Sequence, residues 1–228
     1  AGLILTRRNT VLGLTTAGSF ELYFDGSDVD LTTNGEDIDA IAFSPEGDLI
    51  ISTLGSARVG ALRTKDEDLL RFHATRWGSN TAGTWELYFD GSDVAMTTAQ
   101  EDIFGVWVDA TRDDIYFSMA GPFALSGTSG QGWDISFCTP DKLGDTTACT
   151  FTNYWRGAEN GFTGETIDGL ALGAMPTLLV TSAADEQAML KEMATEIDKV
   201  EEIDDDLDDT NVDPESDETT IYMPLITR

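Results

Sequence analysis

The residues of this chain whose types and spacing could do chemistry are mostly carboxylates. Asp25, Asp28 and Asp30 fall at alternate or near-alternate positions, and Asp90 and Asp93 repeat the arrangement later in the chain. Calcium takes roughly six to eight hard oxygen ligands, and aspartates at this spacing are a source of them. The full EF-hand ligand pattern is missing, so calcium is the one cofactor the pattern admits rather than one it demands. The same segment has a plainer reading as a turn between strands, because Asp bonds its own backbone and Gly accepts unusual dihedrals. Acidic pairs such as Asp37/Asp39 and Asp113/Asp114 have the composition of a glycosidase pair. With 42 Asp and Glu in the chain, such pairs also arise by chance.

Other reactive types are scarce. The single histidine, His73, sits in a strand-like stretch without a partner motif, so a structural role is expected of it. There is no nucleophile elbow, zinc-protease motif, Walker loop or dinucleotide fingerprint, and the expectation is a protein that is not an enzyme. Cys138 and Cys149 flank a turn between two strand-like segments and are placed for a disulfide, which points to an oxidising compartment. Five tryptophans (Trp77, Trp85, Trp107, Trp133 and Trp155) lie near carboxylates. They read either as a carbohydrate surface or as the core between sheets, and alternation favours the core for Trp85.

These residues are positioned by a repeat. ELYFDGSDV occurs unchanged at 21–29 and at 86–94, an offset of 65 residues, and the likeness continues through Thr32-Thr33/Thr97-Thr98 and Glu36-Asp37-Ile38/Glu101-Asp102-Ile103. A worn third copy starts at Phe151, and Ile167-Asp168-Gly169 continues it. Each unit reads as four short strands: 20–24, 38–44, 48–53 and 68–74, then 85–89, 103–109, 115–118 and 133–138, then 149–155, 166–172 and 177–181. Leu3-Ile4-Leu5 resembles the third strand of a unit, so the chain is expected to open in mid-unit. The fold class expected is all-β, with propeller-blade-like four-stranded repeats. The repeat domain spans 1–182, with units starting near 20, 85 and 150. About three units make an incomplete ring, which leaves closure between subunits or an open stack.

Past that domain the composition changes. Met189, Met193, Ile197 and Val200 recur at helical spacing, which predicts an amphipathic helix over 183–203. An acidic linker follows over 204–218, then a β-rich terminal edge strand over 219–228. Within it Ile221, Tyr222, Met223, Leu225 and Ile226 could return to the body or enter another molecule's open edge. The formal net charge of −29 makes nucleic acid and anionic membranes poor partners, and no apolar run is long enough to span a bilayer.

Taken together, the DGSDV repeats, the paired-cysteine hairpin and the ending IYMPLITR resemble the repeats of bacterial extracellular and cell-surface proteins. Those have propeller-like blades and a short C-terminal ending of the IYLPL type. The resemblance covers roughly 1–182 and the last eight residues, and it implies secretion and an all-β fold but no reaction. Arg156 stands where the other copies have Asp25 and Asp90, so a ligand role of that aspartate does not carry to the third copy. The function expected is an extracellular structural protein, a homopolymer that builds a filament, tube or surface layer through strand contacts. The alternative is a calcium-dependent module that binds carbohydrate or another ligand.

Overall fold

The computed structural model describes residues 2–11 and 16–172. These form antiparallel sheets joined by short 3-10 turns, and the all-β expectation holds for them. The helix expected over 183–203, the linker 204–218, the terminal strand 219–228 and the strand 177–181 lie outside the described residues. The chain from Ala1–Ala171 is one compact unit. Among the described residues no helix is long and apolar enough to cross a membrane.

Strands β1 (Leu3–Val11) and β2 (Ala17–Asp25) pair as a two-stranded sheet. Next comes a four-stranded meander of β3 (Ile38–Phe43), β4 (Leu49–Thr53), β5 (Leu69–Arg76) and β6 (Ala82–Phe89). The second meander starts with β7 (Ile103–Val108) and β8 (Ile115–Met119). After a side hairpin of β9 (Phe123–Leu125) and β10 (Thr128–Gly130), it ends with β11 (Asp134–Lys142) and β12 (Ala148–Arg156). In the first meander a single bridge, Ala57 to Thr64, stands where the second has that side hairpin.

This layout corrects the phase of the repeat. The nonapeptide strand closes a sheet instead of opening one, because β2 and β6 pair backwards with β1 and β5 and not with the strands after them. The opening strand matches β5, the third strand of the meander, and not β4, whose Leu49-Ile50-Ile51 it resembles in sequence. Register breaks fall between Ile4 and Leu5, between Leu69 and Leu70, and between Ile135 and Ser136. The same bulge in the same place makes β1–β2 the counterpart of β5–β6 and β11–β12. The segment 166–172, expected to be a strand, has no regular strand pairing. It keeps one mark of the repeat: Ile167 N–H donates to the Gly132 carbonyl at 3.0 Å, as Ile103 N–H does to Asp66 at 3.4 Å.

Two cores stack these layers. On one face of the first meander Leu49, Ile51, Leu70 and Phe72 meet Phe24, Val29 and Leu31 from β2 and its turn. On the other face Ala40, Ala42, Ile50 and Leu69 meet Val106, Ile115, Phe117 and Met119 of the second. Strand β4 is therefore buried along its whole length, which is why Leu49-Ile50-Ile51 reads as an unbroken apolar run. Full burial of an aliphatic side chain of this size contributes roughly 1.5–3 kcal/mol. Trp85 belongs to the first core: its ring lies 4.7 Å from Phe72, and its Nε1–H donates to the Val29 carbonyl at 2.9 Å. The β1–β2 layer has one covered face only, and Leu3, Leu5 and Phe20 are 59%, 59% and 69% exposed.

Cys138 and Cys149 form the disulfide, across the β11–β12 hairpin, with Cα atoms 5.6 Å apart. The equivalent pair in β5–β6 is Phe72 and Gly83, where the Phe72 ring fills the space a Cβ on Gly83 would need. One hairpin is stapled covalently and the other by an aromatic ring over glycine. Opening the Cys138–Cys149 link should lower stability by about 3 kcal/mol, given the short loop it closes. Thermal or urea unfolding with and without reductant, read against a Cys138→Ala/Cys149→Ala double variant, measures this directly.

Candidate functional site

Each nonapeptide strand runs into a 3-10 turn, Gly26–Val29 in the first copy, Gly91–Val94 in the second and Gly157–Asn160 in the third. Asp25 Oδ1 accepts from the Ser27 N–H at 3.1 Å and the Ser27 hydroxyl at 2.6 Å. Asp90 does the same for Ser92, at 3.1 and 2.7 Å. These are helix-cap bonds, which satisfy donors that a turn leaves orphaned. Gly26, Gly91 and Gly157 lack positive φ; a Cβ at each would run into the backbone oxygen of Gly2, Glu67 and Trp133 respectively. Glycine is thus required here for close approach, and DGSD leads from one layer to the next without making a hairpin.

The edge of this strand is a socket for the turn of the following hairpin. Gly78 N–H, in the β5–β6 turn, donates to the Tyr23 carbonyl at 2.8 Å, and Asp25 N–H donates to Thr81 Oγ1 at 2.9 Å. The Thr81 hydroxyl then donates to the Gly78 carbonyl at 2.7 Å. In the next layer Gly144 N–H donates to Tyr88 O at 2.9 Å, Asp90 N–H to Thr147 Oγ1 at 2.9 Å, and the Thr147 hydroxyl to Gly144 O at 2.9 Å. Asp93 Oδ2 adds an acceptor for the Thr147 N–H at 2.8 Å. Gly78 and Gly144 sit at φ +89° and +88°, where a side chain would be strained. Trp77 stacks on Tyr23 with ring centroids 4.6 Å apart, and Leu143 packs against the core that holds Tyr88. Burial lifts the Tyr88 hydroxyl to about 12.

The aspartates read as calcium ligands are therefore divided among structural tasks. Asp25 and Asp90 cap turns, Asp93 holds a socketed threonine, and Asp30 takes φ +75° while its Oδ2 accepts from the Gly60 N–H at 3.1 Å. Asp28 and Asp30 line one open groove of about 540 Å³ together with Trp85. Among the described residues no group of three or more His, Cys, Asp or Glu side chains is placed to hold a metal ion. Arg156 makes no cap; its guanidinium reaches the Ser129 carbonyl at 3.0 Å and Asp134 at 3.4 Å.

Several residues that matter here were not singled out from sequence. Glu36 is buried and accepts N–H bonds from Thr32, Thr33 and Arg58 at 2.8, 2.8 and 3.1 Å. Those bonds outweigh burial and hold its carboxyl below the usual range. Glu101 repeats the arrangement with Thr97, Thr98 and Ala124. Their signal was present in the matched Thr-Thr and Glu-Asp-Ile segments, although their role as buried acceptors was not. His73 is held between carboxylates, Nδ1 at 3.0 Å from Asp48 and Nε2 at 3.1 Å from Glu86, beside Arg71, which binds Asp48 at 2.6 Å. This agrees with a structural histidine.

The most perturbed acids are Asp39 and Asp102. Asp102 is 5% exposed, its Oδ1 is unpartnered, and burial followed by the charges of Asp39 and Asp66 pushes it up to about 7. Asp39 also reaches about 7, chiefly through burial; neither of its oxygens has a well-directed hydrogen bond, though the nearby Ser52 hydroxyl softens the charge. The chain matches no protein-family model, no curated protein and no solved structure.

Two outcomes are expected. Thr147→Ala should cost roughly 1–2 kcal/mol, because the Asp90 N–H loses its buried acceptor, whereas Thr147→Ser should retain most of that bond; urea unfolding of both variants decides it. A carboxyl whose folded pKa is raised contributes stability that is complete below its unfolded value near about 4 and is lost as pH climbs toward 7. Asp102→Asn should therefore flatten the loss of stability between about pH 4 and 7 and gain on the order of 2 kcal/mol at pH 8. Unfolding midpoints of both proteins across that range measure it.

Proposed function

We propose that this protein is a non-enzymatic structural subunit of the bacterial cell exterior, which assembles with copies of itself into a filament, tube or surface layer through strand contacts. The observation that carries the reading is the β1–β2 layer. Its counterparts β5–β6 and β11–β12 are the outer halves of four-stranded sheets, while β1–β2 is a sheet of two with Leu3 and Leu5 facing outward. An exposed apolar face on a two-stranded sheet is what a neighbouring molecule covers in polymers built by repeated, non-closing contacts. The repeat of similar antiparallel layers supports the same reading. The Cys138–Cys149 disulfide agrees with an oxidising, extracellular setting.

A second reading, a calcium-dependent module for carbohydrate or another ligand, is favoured by the groove of Asp28, Asp30 and Trp85, which sets carboxylates beside an aromatic ring. Electron microscopy of the native protein, with calcium and then with chelator, separates the two. Ordered polymers that persist in chelator are expected. Uniform small particles in both conditions would remove the structural reading and leave the groove as the site to screen with glycans.

A further inference from the structure

Independently of how copies of the chain assemble, we infer that the contact between the two meanders is a proton-operated latch. Buried acids from both layers hold the layers together only while they carry protons. The acids are Asp39 on β3 and Asp102 immediately before β7, and β3 packs on β7 across the layers. Both oxygens of Asp39 and Oδ1 of Asp102 are shut off from solvent without a well-directed hydrogen bond, and Asp102 is 5% exposed. Asp66 and Glu67, in the loop before β5, bring two more carboxylates, whose charges bear on Asp102; Asp66 bears on Asp39 as well. The Asp66 carbonyl touches both layers, accepting from Ser52 Oγ at 3.1 Å and from the Ile103 N–H at 3.4 Å. The cation of this loop, Lys65, lies 3.1 Å from Glu67 with its side chain 62% exposed. The next acid, Asp68, is engaged by the N–H groups of Lys65 and Gly91, both at 2.9 Å.

The repeat shows that the fold itself does not call for these acids. The Ile167 N–H bond to the Gly132 carbonyl matches that of Ile103 to Asp66, which sets Gly132 at the place of Asp66 and Thr166 at the place of Asp102. A Cβ on Gly91 would meet the Glu67 carbonyl as one on Gly157 would meet that of Trp133, so Trp133 stands for Glu67. The bulges between Ile38 and Ala40 and between Ile103 and Gly105 set Phe104 at the place of Asp39. None of the four acids recurs in the following layer, although the first copy carries Asp37 at the Asp102 position. Acids with structural work do recur: Asp25 with Asp90, Glu36 with Glu101, and Asp68 with Asp134. Asp39, Asp66, Glu67 and Asp102 are therefore an addition at one interface, and a costly one.

Carboxylates buried near one another without donors do not both keep their charge, so the closed contact takes up protons. Parting the layers lets water reach the acids, which then ionise as ordinary carboxylates near about 4. Held closed, Asp39 and Asp102 are pushed up to about 7, by burial first and, for Asp102, next by the charge of Asp39. Opening therefore releases protons between about pH 4 and 7. The latch is closed in acid and loosens as pH climbs to about 7; above that the closed state is ionised too, and the dependence levels off. The β11–β12 hairpin is held by its own Cys138–Cys149 bond and serves as the reference.

The test is native-state hydrogen exchange on the full chain at about pH 5 and about pH 7.5, in a series of urea concentrations below the unfolding transition. Opening the latch exposes less surface than global unfolding, so exchange through it depends only weakly on urea. The protected amides of β3 and β7 are expected to lose protection by at least about tenfold between the two pH values, after correction for intrinsic exchange, and with that weak urea dependence. Amides of β11 and β12 are expected to show the steep dependence of global unfolding. The double variant Asp39→Asn/Asp102→Asn should protect β3 and β7 equally at both pH values. Unchanged protection of β3 and β7 in the wild type would overturn the proposal. So would a steep urea dependence there, which means that the layers part only when the whole chain unfolds, or a double variant that keeps the wild-type response to pH. Should the double variant fail to fold, Asp102→Thr, which places at 102 the residue type found at Thr166, repeats the test and is expected to weaken the pH response.

Discussion

The structure depends on one short set of hydrogen bonds, in which a strand edge accepts from a glycine N–H and donates to a threonine hydroxyl in the turn of the next hairpin. A strand at the edge of a sheet leaves backbone donors and acceptors open, and buried ones must be matched. Here Tyr23 O and Asp25 N–H are matched by Gly78 and Thr81, and Tyr88 O and Asp90 N–H by Gly144 and Thr147. This requirement accounts for the residue types around it. Glycine at 78 and 144 allows the left-handed turn, glycine at 26, 91 and 157 lets the adjacent backbone approach, and Trp77 stacks on Tyr23.

Acidic residues are used accordingly. Much of what looks like ligand chemistry in DGSD is backbone satisfaction: one carboxylate oxygen replaces a missing helical acceptor, and another holds a docked threonine. The same holds for Glu36 and Glu101, each buried and each accepting three or more hydrogen bonds. Asp39 and Asp102 are the exceptions. They sit between the two meanders with little hydrogen bonding, and the native state there favours the proton.

The stacking of layers also explains the apolar content. A sheet covered on both faces carries unbroken apolar strands, as β4 and β8 do, while the outer strands alternate. The hairpins that end each sheet need a staple where they leave the core. In β11–β12 it is the Cys138–Cys149 bond, and in β5–β6 it is the Phe72 ring lying against Gly83. Both solutions occupy the same two positions, so the repeat conserves a contact while changing its chemistry.

The sequence by itself determined the repeat, its 65-residue step, the all-β class, the disulfide and the core role of Trp85. Each of these follows from local alternation, side-chain size or spacing along the chain. What only the tertiary structure decided was the phase of the repeat, that is, which strands share a sheet. Strand pairing is a choice between partners of similar pattern, and alternation alone does not say whether 20–24 pairs with what precedes or follows it. The bulge between Leu69 and Leu70, and its copies in the other hairpins, decided that. The work of the aspartates was settled in the same way. A carboxylate near a glycine reads alike as ligand or cap until the distance from Asp25 to Ser27, or from Asp93 to Thr147, is known. The second of these distances depends on backbone that arrives from more than fifty residues away, which no local pattern encodes.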